Sequence, residues 1–305
     1  MGATVPGLPE FIRSRQDTPL HCDVKTHIMQ QNLKRLPDRD MPDGALRCEP
    51  SRTQHVEVYG LGVLRAVIVV EVKNDKHVIK SSWLSSQDSY LAKQLLSVVR
   101  RRYILPNKGL LFHTDASQPA IMEELKGLPL RAQIMSKQVD PNIQLPENIS
   151  YRDMTTTEAL DYFREVEEAF VNGLLKIKSE NETEADVKQR AHAMVASVAP
   201  KGPETPGQQF IVVEEAGAAV STLWIGERDG KQSFCYNVEV APEKRGRGHG
   251  RKTLLVWEHA AAKMGLLTLG LNVFGTNMAA LRLYSSGGFR VDDATFILDD
   301  QVRGS

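Results

Sequence analysis

Few local sequences restrict a fold as tightly as an apolar strand that runs through closely spaced glycines into an amphipathic helix. VEVAPEKRGRGHGRKTLL (residues 238–255) is such a stretch. Gly246, Gly248 and Gly250 allow backbone angles closed to other residues and let an anion approach the main chain. The N–H groups at the head of the following helix and the positive end of its dipole point to the same place. Arg245, Arg247 and Arg251 add charge, with His249 between them. The combination predicts a diphosphate-binding loop. A Walker loop requires Gly-Lys-Ser/Thr after four spacers, which GRGHGRK lacks. A dinucleotide fingerprint requires Gly-x-Gly-x-x-Gly at the opening of a parallel sheet, whereas the strands before this loop look hairpin-linked. A flexible basic surface turn or an RNA-contacting Arg-Gly segment is the alternative, and the strong periodicity on both sides argues against disorder there.

The rest of the chain reads as an ordered series of such elements. HVEVYG, VLRAVIVVEV and HVIKSSWL have strand character, and SQDSYLAKQLLSVVRRRY places Leu91, Leu95 and Val98 at helical spacing. GLLFHTD, SQPAIMEELKGL and RAQIMSKQV follow as strand, helix and strand. DPNIQLPEN (140–148), with two prolines and no periodicity, is the natural linker. Beyond it come strand ISYRDM, a helix capped from the Thr155–Thr157 run, and a helix from Asp186 to Val198. Three antiparallel strands then lead from Phe210 to Val240, turning at EEAG and RDGK. After the glycine loop a helix presents Leu254, Trp257 and Ala261 on one face, and LLTLGLNV, NMAALRLYSSG and FRVDDATFIL complete the chain as strand, helix and strand. Both halves run three strands, helix, strand, helix, strand. An offset of 159 positions overlays Leu95 and Leu96 on Leu254 and Leu255, Leu110 on Leu269, and Leu125 on Tyr284. The pattern predicts an α+β chain with a mixed sheet and a diverged tandem repeat. Its parts are a polar extension over 1–52 with a short helix from His27 to Leu36, a first domain over 53–139, a linker over 140–148, and a second domain over 149–299.

Composition removes several function classes. Lys plus Arg and Asp plus Glu both total 38, so no global field recruits nucleic acid or anionic lipid, and neither partner is expected. The longest apolar run, Ala66 to Val70, is far too short to span a bilayer, and the first residues show no signal peptide; a cytoplasmic protein, monomeric or homodimeric, is expected. Three cysteines, Cys22, Cys48 and Cys235, make no disulfide framework. His21, Cys22, His27 and Cys48 could gather zinc only without a Cys-x-x-Cys pair, so no metal is expected.

At this point the residues resemble a known family. Arg245, Gly248 and Gly250, with Pro242 upstream, look like motif A of the GNAT N-acetyltransferases. NVFGTNMAALRLYSSGGF resembles that family's following segment at Asn277, Ala280, Tyr284, Gly288 and Phe289. The two motifs stand in order and at proper spacing, and the likeness covers roughly 148–299. It implies acetyl-CoA as co-substrate and a tandem GNAT-like fold. Main-chain groups of Val238 and Val240 would bond the pantetheine arm, and the amides from Arg245 through Gly246, Arg247, Gly248, His249 and Gly250 to Arg251 would hold the diphosphate. Asn277, followed at helical spacing by Ala280, would contact the pantetheine region, and Tyr284 would protonate the departing thiolate. A backbone amide near Val240 would polarise the thioester carbonyl.

The chain also departs from the family. The strand after motif A carries Asn272 where some members have a basic Glu. Glu239, on the strand before the loop, is the candidate base, although strand alternation turns it away from the face of Val238 and Val240; Tyr236 and a water chain are its rivals. FRVDDATFILDD leaves little room for the two strands that usually end the family, so one of them is very tight or its place is taken by the other half. The first half has SSQDSYLAK opposite the glycine loop and Leu125 opposite Tyr284, which implies a degenerate copy that binds no CoA. Glu165, Glu167, Glu168, Glu180, Glu182, Glu184 and Asp186 could attract a cationic amine or simply form a solvated acidic face. The resulting expectation is an enzyme that moves an acetyl group onto the primary amine of a small molecule. A protein lysine or N-terminal acetyltransferase and a non-catalytic acyl-CoA sensor are the alternatives.

Overall fold

A computed structural model of the chain describes residues 22–29, 52–60, 63–73, 76–104, 109–175 and 182–299. In chain order its first elements are β1 (Cys22–Met29), β2 (Arg52–Gly60), β3 (Val63–Lys73), β4 (Lys76–Leu84), α1 (Ser89–Tyr103), β5 (Leu110–Asp115), α2 (Pro119–Leu125) and β6 (Leu130–Gln138). They are followed by β7 (Ile149–Asp153), α3 (Thr156–Leu175), α4 (Glu184–Val198), β8 (Gln208–Glu215), β9 (Ala218–Arg228) and β10 (Gln232–Val240). The last are α5 (His249–Lys263), β11 (Thr268–Phe274), α6 (Met278–Ser286) and β12 (Arg290–Leu298). The architecture is mixed α/β. Among the described residues no helix is long and apolar enough to cross a membrane, and no group of three His, Cys, Asp or Glu is arranged to hold a metal.

The chain divides into two compact units: Met1–Gln133 with Phe274–Thr276 and Val291–Ser305, and Ile134–Val273 with Asn277–Arg290. The division falls inside β6, and the chain's last strand counts with the first unit. In that unit β1 to β4 form antiparallel pairs, β4 runs parallel to β5, and β12 runs antiparallel to β5 from Leu298↔Leu110 to Asp293↔Asp115. The apolar stripe of α1 (Leu91, Leu95, Leu96, Val99) packs with Ile68, Val70, Ile79 and Phe112 in one core. The helix expected from His27 to Leu36 is corrected over its described part. His27 to Met29 belong to β1, which pairs with β2 from Cys22↔Gly60 to Met29↔Thr53. CDVKTHIM alternates with period two, which suits a strand and not a helix. Residues 30–36, like His21 and Cys48 of the zinc quartet, lie outside the described residues.

In the second unit β7, β8, β9 and β10 form antiparallel pairs, and β10 then runs parallel to β11. Helix α5 lies on this sheet through Thr253, Leu254, Val256, Trp257 and Ala261, all buried. Its indole is satisfied, since Trp257 Nε1 donates to Ser233 Oγ at 2.9 Å. The opposite face holds an aromatic cluster in which Phe210 stacks on Trp224, with Tyr162 and Phe163 from α3 edge-on to Phe210. The expected linker has no helix or strand from 139 to 148. It is nonetheless tied down, because Val139 N donates to Leu267 O and Asp140 N donates to the Glu258 carboxylate.

Glu258 is the most buried charge of α5, with its side chain 2% exposed, and Lys137 Nζ meets it at 2.6 Å. A carboxylate so placed depends on its partner, because an uncompensated buried charge is costly. Lys137 remains about a quarter exposed (27%), which lets solvent screen part of the effect. Lys137→Met is therefore expected to cost about 2–4 kcal/mol in urea unfolding, and the double variant Lys137→Met/Glu258→Leu should recover much of that loss.

Candidate functional site

The site is made by a disagreement between two parallel strands. β10 keeps register with β11 only from Gln232↔Thr268 to Cys235↔Leu271. At the next residue β10 carries a bulge: Cys235 faces Ile225 on β9, Asn237 faces Trp224, and Tyr236 is the extra residue. A bulge bends its strand and raises the local twist. β10 therefore stays with β9 and leaves β11, and one edge of its last residues has no strand partner among the described residues. The groups on that edge follow from alternation. Ala241 N donates to Val220 O on β9, so Glu239 also turns its backbone to β9, while Val238 and Val240 turn theirs to the open side. The Val240 carbonyl agrees, since it accepts from Arg245 Nε at 3.0 Å.

From this edge the chain enters the glycine loop. Lys244 N and Arg245 N close a one-turn 3-10 helix onto Ala241 O and Pro242 O, and Arg251 N returns to Gly248 O. Between them the N–H groups of Gly246, Arg247, Gly248, His249 and Gly250 have no hydrogen-bond partner among the described residues. Gly248 is the N-cap of α5 at φ +84, in the left-handed region that disfavours a side chain. Gly250 answers a different need: a Cβ there would stand 3.1 Å from Leu283 Cδ2, so the absent side chain lets α6 lie against α5. Arg247 and Arg251 are exposed, with no ion pair among the described residues.

Glu215 holds this helix end in place. Its carboxylate receives Lys252 Nζ and Asn148 Nδ2, and His249 Nδ1 stands 3.0 Å away. The Lys252 hydrogen bond, with Lys252 and His249 charge adding to it, keeps the Glu215 carboxyl below its ordinary value against the opposing pull of burial.

On α6, Asn277 is the N-cap, and its side chain accepts from Ala280 N at 3.2 Å. The Asn-x-x-Ala spacing is thus the geometry of a cap. One turn on, Tyr284 is buried (6% exposed), edge-on to Phe289, which itself stacks on Trp257. The Tyr284 hydroxyl has no hydrogen-bond partner among the described residues. Burial, aided by the Cys235 thiol, pushes its pKa well above the ordinary 10.0, and burial pushes that thiol up to about 12. Both groups keep their protons at neutral pH.

Behind the bulge lies a second phenol. Asn237 Nδ2 donates to Tyr162 Oη at 2.8 Å, and burial again raises the tyrosine pKa. The extra residue at Tyr236 explains this contact, because it returns Asn237 to the face of α3. Glu239 shares that face and is exposed (56%), paired with Arg245 Nη2 at 3.1 Å. Tyr236 accepts from Arg228 Nε. Of the acidic residues near α3 and α4, Glu167 pairs with His192, Glu182 with Arg190, and Asp186 completes a capping box with Thr183, the N-cap of α4; Glu180 lies outside the described residues. Sequence reasoning missed Cys235, Tyr162, Asn237 and Glu215, whose roles depend on the bulge and on contacts from distant elements.

Residues 172–289 match the model of the acetyltransferase (GNAT) family. Over 122 residues the chain is 28% identical to an uncharacterised N-acetyltransferase of Bacillus subtilis, YycN, a match taking in 39% of this chain and 78% of that one. It is 28% identical over 93 residues to an acetyltransferase of Sodalis glossinidius, which takes in 30% of this chain and 65% of the relative. A solved GCN5-related N-acetyltransferase from Sphaerobacter thermophilus, 19% identical, superposes with a TM-score of 0.43, covering 80% of this chain and 79% of that chain.

A group whose folded pKa lies below its unfolded value stabilises above the unfolded value and loses that effect as pH falls through the folded one. Glu215→Gln is accordingly expected to melt earlier than the parent at neutral pH. The gap should close as pH drops below 4.5, the ordinary value for this carboxyl, which a series of thermal melts would follow.

Proposed function

We propose that the chain, whose residues 172–289 match the GNAT acetyltransferase family model, is a member of that family and transfers an acetyl group from acetyl-CoA to the primary amine of a small molecule. The observation that carries this reading is the run of five unpaired N–H groups from Gly246 to Gly250 beside the open edge of β10. A row of amides at a helix N-terminus suits a diphosphate, and Arg247 and Arg251 supply charge without giving up another partner. The outward groups of Val238 and Val240 suit an amide-bearing arm laid along the strand. When bound, acetyl-CoA supplies a thioester carbonyl open to attack by an amine.

The chain's own residues then divide the work. A backbone N–H near Val240 polarises the carbonyl. Tyr284, kept protonated by burial, donates its proton toward the departing sulfur; its unbonded hydroxyl is free to do so. Glu239 takes the proton from the incoming ammonium, since only a neutral amine has a lone pair to give. Asn277 and Ala280 fix the start of α6 and so the height of Tyr284 along it. Glu165 and Glu168, exposed on α3 and without ion-pair partners among the described residues, favour a cationic acceptor.

The first unit is, on this reading, a diverged copy that binds no CoA. It keeps the bulge, at Lys80 on β4, and a parallel pairing limited to Val78↔Leu111 and Ile79↔Phe112. Yet the Leu84 N–H is taken by Gln118 Oε1, and the following helix is capped by the Asp88 carboxylate. An anion would meet a negative group there, where the second unit offers Gly248.

Thiol release from acetyl-CoA across a panel of amines and peptides tests the reading. Turnover with small amines supports it, turnover with peptides alone favours protein lysine or N-terminal transfer, and binding without turnover favours an acyl-CoA sensor. Tyr284→Phe should lower kcat by about 10²–10⁴ while calorimetric CoA affinity holds. In the parent enzyme kcat should not fall as pH passes 10.0, the ordinary phenol value. Gly248→Val with Gly250→Val should remove CoA binding, and an unchanged affinity would count against the loop.

A further inference from the structure

Arg245 holds two partners that the proposed reaction needs elsewhere. Its Nε donates to the Val240 carbonyl at 3.0 Å, and its Nη2 reaches Glu239 Oε1 at 3.1 Å. The first acceptor lies on the unpaired edge of β10, where an extended arm would form its own hydrogen bonds. The second is the candidate base, which cannot accept a proton readily while a guanidinium holds its lone pairs. The same arginine opens the loop whose next five N–H groups are unpaired. We propose that Arg245 is a positioning residue that latches the site: it caps Val240 and Glu239 together until an anion at the loop draws it away. Donor binding then clears the strand edge and frees the base in one movement. This inference rests on the reading of the loop as the diphosphate site.

Geometry and exposure both favour such a role. The guanidinium is a planar fork, so one side chain spans a backbone carbonyl and a carboxylate at once; a lysine ammonium would hold either but not both in fixed geometry. The Arg245 and Glu239 side chains are 59% and 56% exposed, and a pair so solvated is weakly held. A diphosphate carrying several charges outcompetes one carboxylate for the same cation. Glu239 has no second cation among the described residues to replace Arg245.

The two ends of the donor separate the latch from an ordinary phosphate contact. Calorimetry or ligand-observed NMR would measure CoA, inorganic diphosphate and pantetheine against the full-length parent, Arg245→Ala, Arg245→Lys and Glu239→Gln. The latch requires pantetheine to bind Arg245→Ala about fivefold more tightly than the parent, because the Val240 carbonyl is no longer capped, while CoA binds no more tightly. Glu239→Gln and Arg245→Lys should fall between these values. In the parent, the NMR signal of the Arg245 Nε–H, identified by its loss in Arg245→Lys, should move when inorganic diphosphate saturates the loop. A pantetheine affinity equal or lower in Arg245→Ala, or undetectable in both proteins, overturns the latch, as does an Nε–H signal that ignores diphosphate. Failure of the parent to bind CoA or diphosphate at all would instead bring down the function proposed above.

Discussion

One extra residue in a strand governs the second unit. Were Tyr236 absent, β10 could continue beside β11 beyond Cys235, and its last backbone groups would be spent on a ladder. The bulge spends them differently. It turns the strand away, leaves the Val238 and Val240 edge open, and keeps Asn237 on the face of Tyr162. Every other part of the candidate site is arranged around that opening.

The helix that follows supplies the complementary half. Its N-terminus must stay rigid although its first amides bond to nothing in the described chain, and the rigidity comes from below. Thr253 bonds back to His249 O and meets Ser221 Oγ, Trp257 is tied to Ser233, and Glu215 receives Lys252 beside His249. Unpaired polar groups are costly when buried and tolerable at a surface. Loop residues Gly246 to Gly248 are exposed, so water can serve them and an anion can replace that water. A site built this way is preorganised without being strained shut.

Much of the fold was legible in residue order. Short apolar and β-branched runs bounded by turn residues marked β2 to β5 and β8 to β11, and Leu254, Trp257 and Ala261 at helical spacing marked the buried face of α5, since these patterns are local consequences of burying an element. The loop was legible for the same reason, as glycine spacing and helix start are near neighbours in the chain. β1 was misread where His27 to Met29 join a strand, because its polar composition hid an alternation that only pairing with β2 makes decisive. The association of β12 with β5 was equally out of reach, since which strand an edge accepts depends on a partner some 180 residues away. Asn277, read for its ligand potential, has in addition a local task, since its Oδ1 accepts from Ala280 N and caps α6.

What residue order alone determined was the set of elements, the basic glycine turn between a strand and a helix, and the match of residues 172–289 to the GNAT family model. Those are properties of adjacent residues and need no partner to exist. Tertiary structure alone decided that β10 parts from β11 at Cys235, that Tyr284 is buried against Phe289 beside that thiol, and that Arg245 folds back onto Val240 and Glu239. Each of these depends on groups meeting across the sheet or around a turn, where burial and competition for hydrogen bonds choose the partner and local propensity has no say.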